Sequence, residues 1–320
     1  MISTIDTTNG FRSELIPMAL SFSSSASLAL LNAILAVSAF HRGGATAALP
    51  FKAKAIAASM MLCVYSVFDE TEGEKLRYQF LYTWLLYHEV LGAFSQPLLP
   101  VKHRISSIDL LKDDSFDKTA IIGSLGCSLE VLEAIHCLNE MRRIIIARPP
   151  DITEALILER KVVGLTQCLD PTDDLSSHGI SVEERSKVLL TAEFYRIATL
   201  LYHHRLHAYY LPRHRERKVY LKQAFEILDR LPICTSPWPL FIVACEANSD
   251  DQRLVILRML DRMDEARKIG NVFVMRDIIQ SFWKQEDLAA DCDGSSNQPN
   301  WSKSWDLLFF ESKLAVPWFI

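Results

Sequence analysis

The segment from Ser236 to Glu286 constrains the fold of this chain more than any other, because helical patterns follow one another within it. An apolar run over residues 238–247 comes first. A capped amphipathic helix is predicted next, over residues 251–268, and a second helix over residues 271–285. Apolar side chains recur in this last helix at spacings of three and four, which gives one apolar stripe: Val272, Met275, Ile279 and Phe282.

Helix signals of the same kind continue through the rest of the chain. Ser181 stands three residues before Glu184, a capping-box spacing that predicts a helix start, and Asp151 is placed to cap another helix. Glycine is scarce, with 11 residues in 320, which fits long helices joined by short loops. The patterns predict helices over residues 12–41 (as one helix or two), 51–68, 76–94, 120–147, 152–169, 181–210 and 219–231.

The predicted fold class is therefore all-α: a multi-helix domain with orthogonal or antiparallel helices and no significant sheet. A hydrophobic fraction of 49% is enough for a sizeable core. Residues 1–10 are polar and predict a flexible N-terminus, whereas residues 11–290 are predicted to form the helical domain. Residues 291–320 are interpreted as a linker and an atypical C-terminal tail.

The charge of the chain argues against direct binding of duplex DNA. There are 34 basic and 39 acidic residues, a net charge of −5, whereas a DNA-binding domain normally presents a strongly basic face. The basic segment from Arg205 to Lys218 is the local exception. It is interpreted as a solvated connector between two helices, with a nucleic-acid-binding or nuclear-import patch as the alternatives.

The seven cysteines form no zinc-binding pattern, because no two of them are separated by only two residues. They are scattered singly through apolar helical segments, so we expect reduced, buried thiols of an intracellular protein. They are Cys63, Cys127, Cys137, Cys168, Cys234, Cys245 and Cys292.

An uncharged run from Leu15 to Phe40 has the length of a membrane span. Serines and Pro17 interrupt this run, and Glu14 precedes it where a secretory signal would need a basic residue. A soluble core is therefore favoured, and no membrane partner is expected.

His203 and His207 come closest to a catalytic or metal-binding pattern, because they lie one helical turn apart. A metalloprotease motif would need a glutamate beside the first histidine, but position 204 is a histidine. The favoured interpretation is surface or core-edge histidines on an aromatic helix. A helical metal-binding protein or enzyme that uses His203 and His207 is the alternative.

No catalytic, cofactor-binding or metal-binding residue is assigned from the sequence, and we expect no enzyme. Gly123-Ser124-Leu125-Gly126 lacks the spacing of a nucleophile elbow, and the sequence has no phosphate-binding glycine motif.

Four segments, taken in order, resemble the fungal-specific transcription factor domain. This domain is the large helical regulatory region usually attached to a six-cysteine, two-zinc DNA-binding cluster. The similar segments span roughly residues 25–290 of this chain and are residues 57–70, 80–97, 192–202 and 236–286.

The resemblance implies a nuclear transcription regulator that acts through its helical regulatory domain, residues 11–290. It implies a possible homo- or heterodimer, a possible small-molecule effector, and no cofactor in this chain. DNA would be reached only indirectly, or through an N-terminal domain absent from this sequence. The aromatic residues of the similar segments are expected to lie in the core rather than to contact a ligand: Trp84, Tyr87, Trp238, Phe282 and Trp283.

Three features depart from the family pattern. The six-cysteine zinc cluster is absent, only residues 75–79 separate the acidic connector from the tryptophan helix, and the tail after Asn300 is unlike the usual ending. These departures favour, as an alternative, a non-DNA-binding adaptor or co-regulator that heterodimerises with a full-length family member.

Overall fold

The chain divides into two compact units, one comprising residues 4–84 and the other residues 85–320. In the first unit, helix α1 spans Ile16–Leu20, and further helical residues lie between 27 and 39. The computed structural model describes residues 16–21, 27–28, 30–36, 38–39, 86–87, 89–95, 117–122, 125–145, 150–169, 181–208, 210–267 and 270–291.

The described part of the second unit is almost entirely helical, which confirms the predicted fold class. Its only strands are β1 (Ile121–Ile122) and β2 (Cys127–Ser128), which pair antiparallel. Helical residues 86–87 and 89–95 precede them. The helices that follow are α2 (Leu129–Ile145), α3 (Ile152–Gly164), α4 (Val182–Leu206), α5 (His214–Arg230), α6 (Pro237–Glu246), α7 (Asp250–Arg267) and α8 (Gly270–Asp291).

The predicted caps of α3 and α4 are confirmed. The Glu184 N–H donates to Ser181 Oγ at 3.2 Å, and the Ser181 N–H donates to Glu184 Oε2 at 3.0 Å. Asp151 Oδ1 accepts from the N–H groups of Thr153 and Glu154. Each cap satisfies backbone donors that the first helical turn leaves unpaired.

Helix α3 ends at Gly164, earlier than the predicted residue 169, because the chain then runs extended beside β1. The N–H of Ile121 donates to Cys168 O at 2.8 Å, and the N–H of Cys168 donates to Thr119 O at 3.0 Å. These long-range hydrogen bonds replace the helical ones that the local pattern predicted.

The helix predicted over residues 120–147 is wrong at its N-terminal end. Ile121–Ile122 and Cys127–Ser128 instead pair as the antiparallel strands β1 and β2, and α2 begins only at Leu129. Gly126 adopts a φ of +76°, a left-handed conformation that a continuous α-helix cannot contain.

The connector predicted over the basic segment holds only in part, between the end of α4 at Leu206 and the start of α5 at His214. Helix α5 begins at His214, five residues before the predicted start at 219, so the last five residues of the basic segment lie in its first turns. Helix α8 runs beyond the predicted residue 285 to Asp291, whereas α7 ends within one residue of the prediction.

Helix α4 is the centre of the second unit and packs against α2, α3, α5 and α6. Every residue from Ile197 to His204 is buried, so no side of the helix faces solvent there. Such all-round burial leaves α4 without the apolar stripe of a surface helix.

Helix α6 lies against α4 with all ten of its residues buried. The Trp238 ring stacks on Tyr195 at 6.1 Å between centroids and contacts Phe94 edge-on at 5.9 Å. At the other end of α6, the Trp283 N–H donates to Ala244 O at 2.8 Å. The expected core position of the aromatic residues is therefore confirmed for Tyr87, Trp238, Phe282 and Trp283, whereas Trp84 lies outside the described residues.

The apolar stripe predicted on α8 is confirmed, because Val272, Met275, Ile279 and Phe282 are all buried. The prediction for the cysteines holds only in part. Cys127, Cys234 and Cys245 are buried free thiols, but Cys168 is exposed.

Among the described residues, no helix is both long enough and apolar enough to cross a membrane.

Replacing Gly126 by alanine is expected to destabilise the domain by about 1–3 kcal/mol, since alanine is strained at positive φ. The new Cβ would also lie only 3.1 Å from Thr191 Cγ2 on α4. Gly92→Ala is the matched control, because no atom lies within 4 Å of the position its methyl group would take and alanine favours a helix. Urea unfolding followed by circular dichroism measures both, and equal stability of the two variants would contradict the assigned turn.

Candidate functional site

Polar side chains gather in the core around the C-terminal end of α4. We name this set the α4-end cluster; it consists of Glu159 on α3, His203, His204, Arg205 and His207 on or next to α4, Arg213 and Arg217 at the start of α5, and Glu246 on α6. The three histidines are at most 2% exposed. Because unpaired polar groups are costly inside a protein, each contact of this cluster affects stability.

The histidine half of the cluster joins α3 to α4. His203 Nε2 lies 2.9 Å from the carbonyl oxygen of Ala155, and His204 Nε2 lies 2.7 Å from Glu159 Oε1. His207 Nδ1 lies 2.9 Å from the carbonyl oxygen of His203. Carbonyl and carboxylate oxygens accept hydrogen bonds, so the contacting ring nitrogen carries the proton in each histidine.

The opposite nitrogens of these rings are then bare acceptors. His203 Nδ1, His204 Nδ1 and His207 Nε2 are buried and have no hydrogen-bond partner. Burial lowers the pKa of His203 to about 4 and also lowers the pKa of His207. These two rings are therefore neutral near pH 7, with their lone pairs available.

The arginine half of the cluster surrounds the carboxylate of Glu246, which is 1% exposed. Arg205 Nη1 lies 2.9 Å from Glu246 Oε1, and Arg217 Nε contacts Glu246 Oε2. Arg205 also donates to Cys245 O at 3.0 Å and lies over the Phe282 ring. Burial by itself raises the pKa of Glu246, but the two arginines hold it below its ordinary value.

The cluster overlaps only partly with the site residues considered from the sequence. His203 and His207 are close, with ring centroids 4.5 Å apart, but both are buried, so the interpretation as surface or core-edge histidines is wrong. Glu159 was missed because it lies 45 residues before His204. Its position on the buried stripe of α3, with Ala155, Leu158 and Val162, is the signal that could have found it.

The basic segment is divided between the core and the surface. Arg217 contacts Glu246, and Arg213 Nη2 lies 3.5 Å from Glu159 Oε2, whereas Arg215 and Lys218 are exposed. Arg205 also contacts Glu246, so three charges of the segment are already engaged by buried carboxylates.

An open groove of about 680 Å³ lies between α7 and α8. Leu254, Leu257 and Trp283 contribute apolar walls. The guanidinium of Arg253 forms hydrogen bonds of 2.8 and 2.7 Å with the Asp287 carboxylate in this groove. Arg253 Nη1 and Nη2 are thus satisfied by Asp287, whereas Arg253 Nε is buried without a hydrogen-bond partner.

The family of the chain follows from its similarity to known proteins. The profile described as "Fungal specific transcription factor domain" matches residues 52–311, which is most of the chain. The chain belongs to this family. The resemblance drawn from the four segments is thereby confirmed, and three of them fall on described helices: residues 86–95, α4, and α6 to α8.

A curated protein is also similar. "Transcription factor iacI" of Pestalotiopsis fici is 26% identical over 128 residues, which are 40% of this chain and 30% of that protein. The matched part is thus less than a third of that relative. No solved structure matches this chain.

Replacing Glu246 by glutamine is expected to destabilise the domain by about 3–5 kcal/mol, because Arg205 and Arg217 lose their buried counter-charge. Glu265→Gln is the matched control: Glu265 is exposed on α7, and such surface changes stay within about 0.5 kcal/mol. The free energy of unfolding in urea measures both. A Glu246→Gln loss no larger than the control would show that the pairs contribute nothing.

The contribution of Glu246 is also expected to depend on pH. Its pKa is lowered in the folded state from an ordinary value of 4.5, so the unfolded chain takes up the proton first on acidification. The stabilisation is complete above the ordinary value and disappears as the pH falls through the lowered pKa. The stability difference between wild type and Glu246→Gln, measured by urea unfolding at a series of pH values, should therefore shrink below about pH 4.5; a constant difference would contradict this.

Proposed function

We propose that this chain is a transcription regulator of the fungal zinc-cluster class that acts through its helical domain, residues 11–290. The observation that carries the proposal is the family match over residues 52–311. The nucleus is the corresponding proposed location, and transcription is also what the name of the similar Pestalotiopsis fici protein states.

The helical domain is proposed to reach DNA indirectly, through a zinc-cluster domain that this sequence does not contain. The net charge of −5 and the absence of any C-x-x-C pair support this part of the proposal. Three arginines of the basic segment already face buried glutamates: Arg205, Arg213 and Arg217. Direct duplex binding would have to rely on the remaining charges.

Regulation is proposed to follow a shift between two packings of the helices. A small-molecule effector, or a second copy or relative in a dimer, shifts such an equilibrium only by its difference in affinity for the two packings. The buried polar contacts around the end of α4 suit this role. Each contact has one defined geometry, and the connected network is broken together when the helices repack.

A reporter assay tests the regulatory function. The chain is fused to an unrelated DNA-binding domain whose operator precedes a reporter gene, and the reporter is expected to change several-fold relative to that domain alone. The matched control is the Glu246→Gln fusion, which should lose the effect with the fold. An unchanged reporter, with the wild-type fusion nuclear and as abundant as the control domain, would contradict the proposal.

The second candidate function is a non-DNA-binding adaptor that heterodimerises with a full-length family member. The same acidic charge and missing C-x-x-C pairs favour it. Affinity purification of the unfused chain, combined with chromatin immunoprecipitation, separates the two. Promoter occupancy that requires a co-purifying zinc-cluster protein supports the adaptor, whereas occupancy without such a partner excludes it.

A further inference from the structure

We propose that Glu159, His203 and His204 bind one divalent transition-metal ion, with Zn²⁺ as the best fit. One ligand atom from each of these residues lies within 4.8 Å of the others, and all three residues are buried. The inference concerns a site within the domain and does not depend on the proposed role in transcription.

The ligand types suit zinc. Two imidazoles and one carboxylate form a known three-ligand set for Zn²⁺, which leaves a fourth position for water or a small anion. Metal–ligand distances of about 2.0–2.2 Å in a tetrahedral site place ligand atoms roughly 3.3 Å apart. The widest pair must therefore approach by at most about 1.5 Å, which side-chain rotation can supply. The 2.7 Å pair of His204 Nε2 and Glu159 Oε1 must open slightly.

The hydrogen bonding of His203 matches that of a metal ligand. A metal-binding histidine almost always donates its other ring N–H to a carbonyl or carboxylate. His203 does so from Nε2 to the carbonyl of Ala155, and its Nδ1 is buried without a partner. In a protein core without a metal, such a bare nitrogen has no compensation for lost hydration.

His204 can present its Nε2 lone pair to a metal after a change of tautomer. Its Nε2 proton now lies between the ring and Glu159 Oε1, while Nδ1 has no partner. When a metal ion takes the place of that proton, the proton moves to Nδ1 and the ring stays neutral. No proton has to leave the ring in total.

The charges around the site are compatible with a cation. Glu159 supplies one negative charge. Arg213 Nη2 lies 3.5 Å from Glu159 Oε2, the second carboxylate oxygen, and its positive charge would repel a bound cation. The Arg213 side chain is 37% exposed and also lies 3.7 Å from Glu216. It can therefore turn toward Glu216 and solvent when the metal binds.

Metal binding at this position would tie α3 to α4. Since the ligands come together only in the folded domain, binding adds to its stability in proportion to the logarithm of the metal concentration over Kd. The site would make the packing of the central helix responsive to zinc.

The test is a titration of the purified full chain, freed of metal and carrying no histidine tag, with Zn²⁺ in a calorimeter. We expect one zinc per chain and a rise in Tm on zinc addition. Glu159→Gln and His203→Asn should lower zinc affinity by more than the roughly 10- to 100-fold typical of losing an outer-shell partner. The matched controls, the exposed His214→Ala and Cys168→Ser, should bind zinc as the wild type does.

Substitution with Co²⁺ keeps the proposal testable if a variant fails to fold. The visible spectrum of the Co²⁺-loaded wild type should show a four- or five-coordinate site without a thiolate-to-metal charge-transfer band. Absence of zinc binding by the wild type, a thiolate band, or unchanged affinity in folded Glu159→Gln and His203→Asn would each overturn the proposal.

Discussion

The complete burial of helix α6 is the constraint on which the described second unit depends. A helix whose ten residues are all inaccessible needs neighbours on every side, and α4, α5, α7 and α8 supply them. Its aromatic end is held by Tyr195 and Phe94, and its polar end by the arginines around Glu246. The ion pairs matter most at that end, because a buried carboxylate without counter-charges would destabilise the packed position of α6.

Helix α4 connects this ionic contact to the histidines. Arg205 follows His204 directly in the chain, so one turn of α4 contacts Glu246 on α6 and Glu159 on α3. The start of α5 adds one arginine to each glutamate: Arg217 contacts Glu246, and Arg213 contacts Glu159. A change at either glutamate is therefore expected to affect the other through the turn of α4 that both glutamates contact. This arrangement gives a physical route by which a bound ion or partner could alter the packing of the domain.

Local sequence patterns predicted the helices well wherever the decisive contacts are local. The capping box at Ser181, the cap at Asp151 and the stripe on α8 involve residues only a few positions apart, and each is confirmed. Segments were predicted wrongly where the decisive contacts are distant in the chain. The turn at Gly126 depends on strand pairing, and the early start of α5 accompanies contacts of Arg213 and Arg217 with distant glutamates.

The amino-acid sequence by itself determined the all-α class, the family and most helix boundaries, because periodicity and capping are properties of short segments. It also placed His203 and His207 one turn apart. Only the tertiary structure decided that these histidines are buried and that Glu159, on another helix, faces His204. It likewise decided that part of the basic segment neutralises carboxylates in the core. Side chains far apart in the chain meet only through helix packing, and no local pattern specifies which of them will share a buried charge.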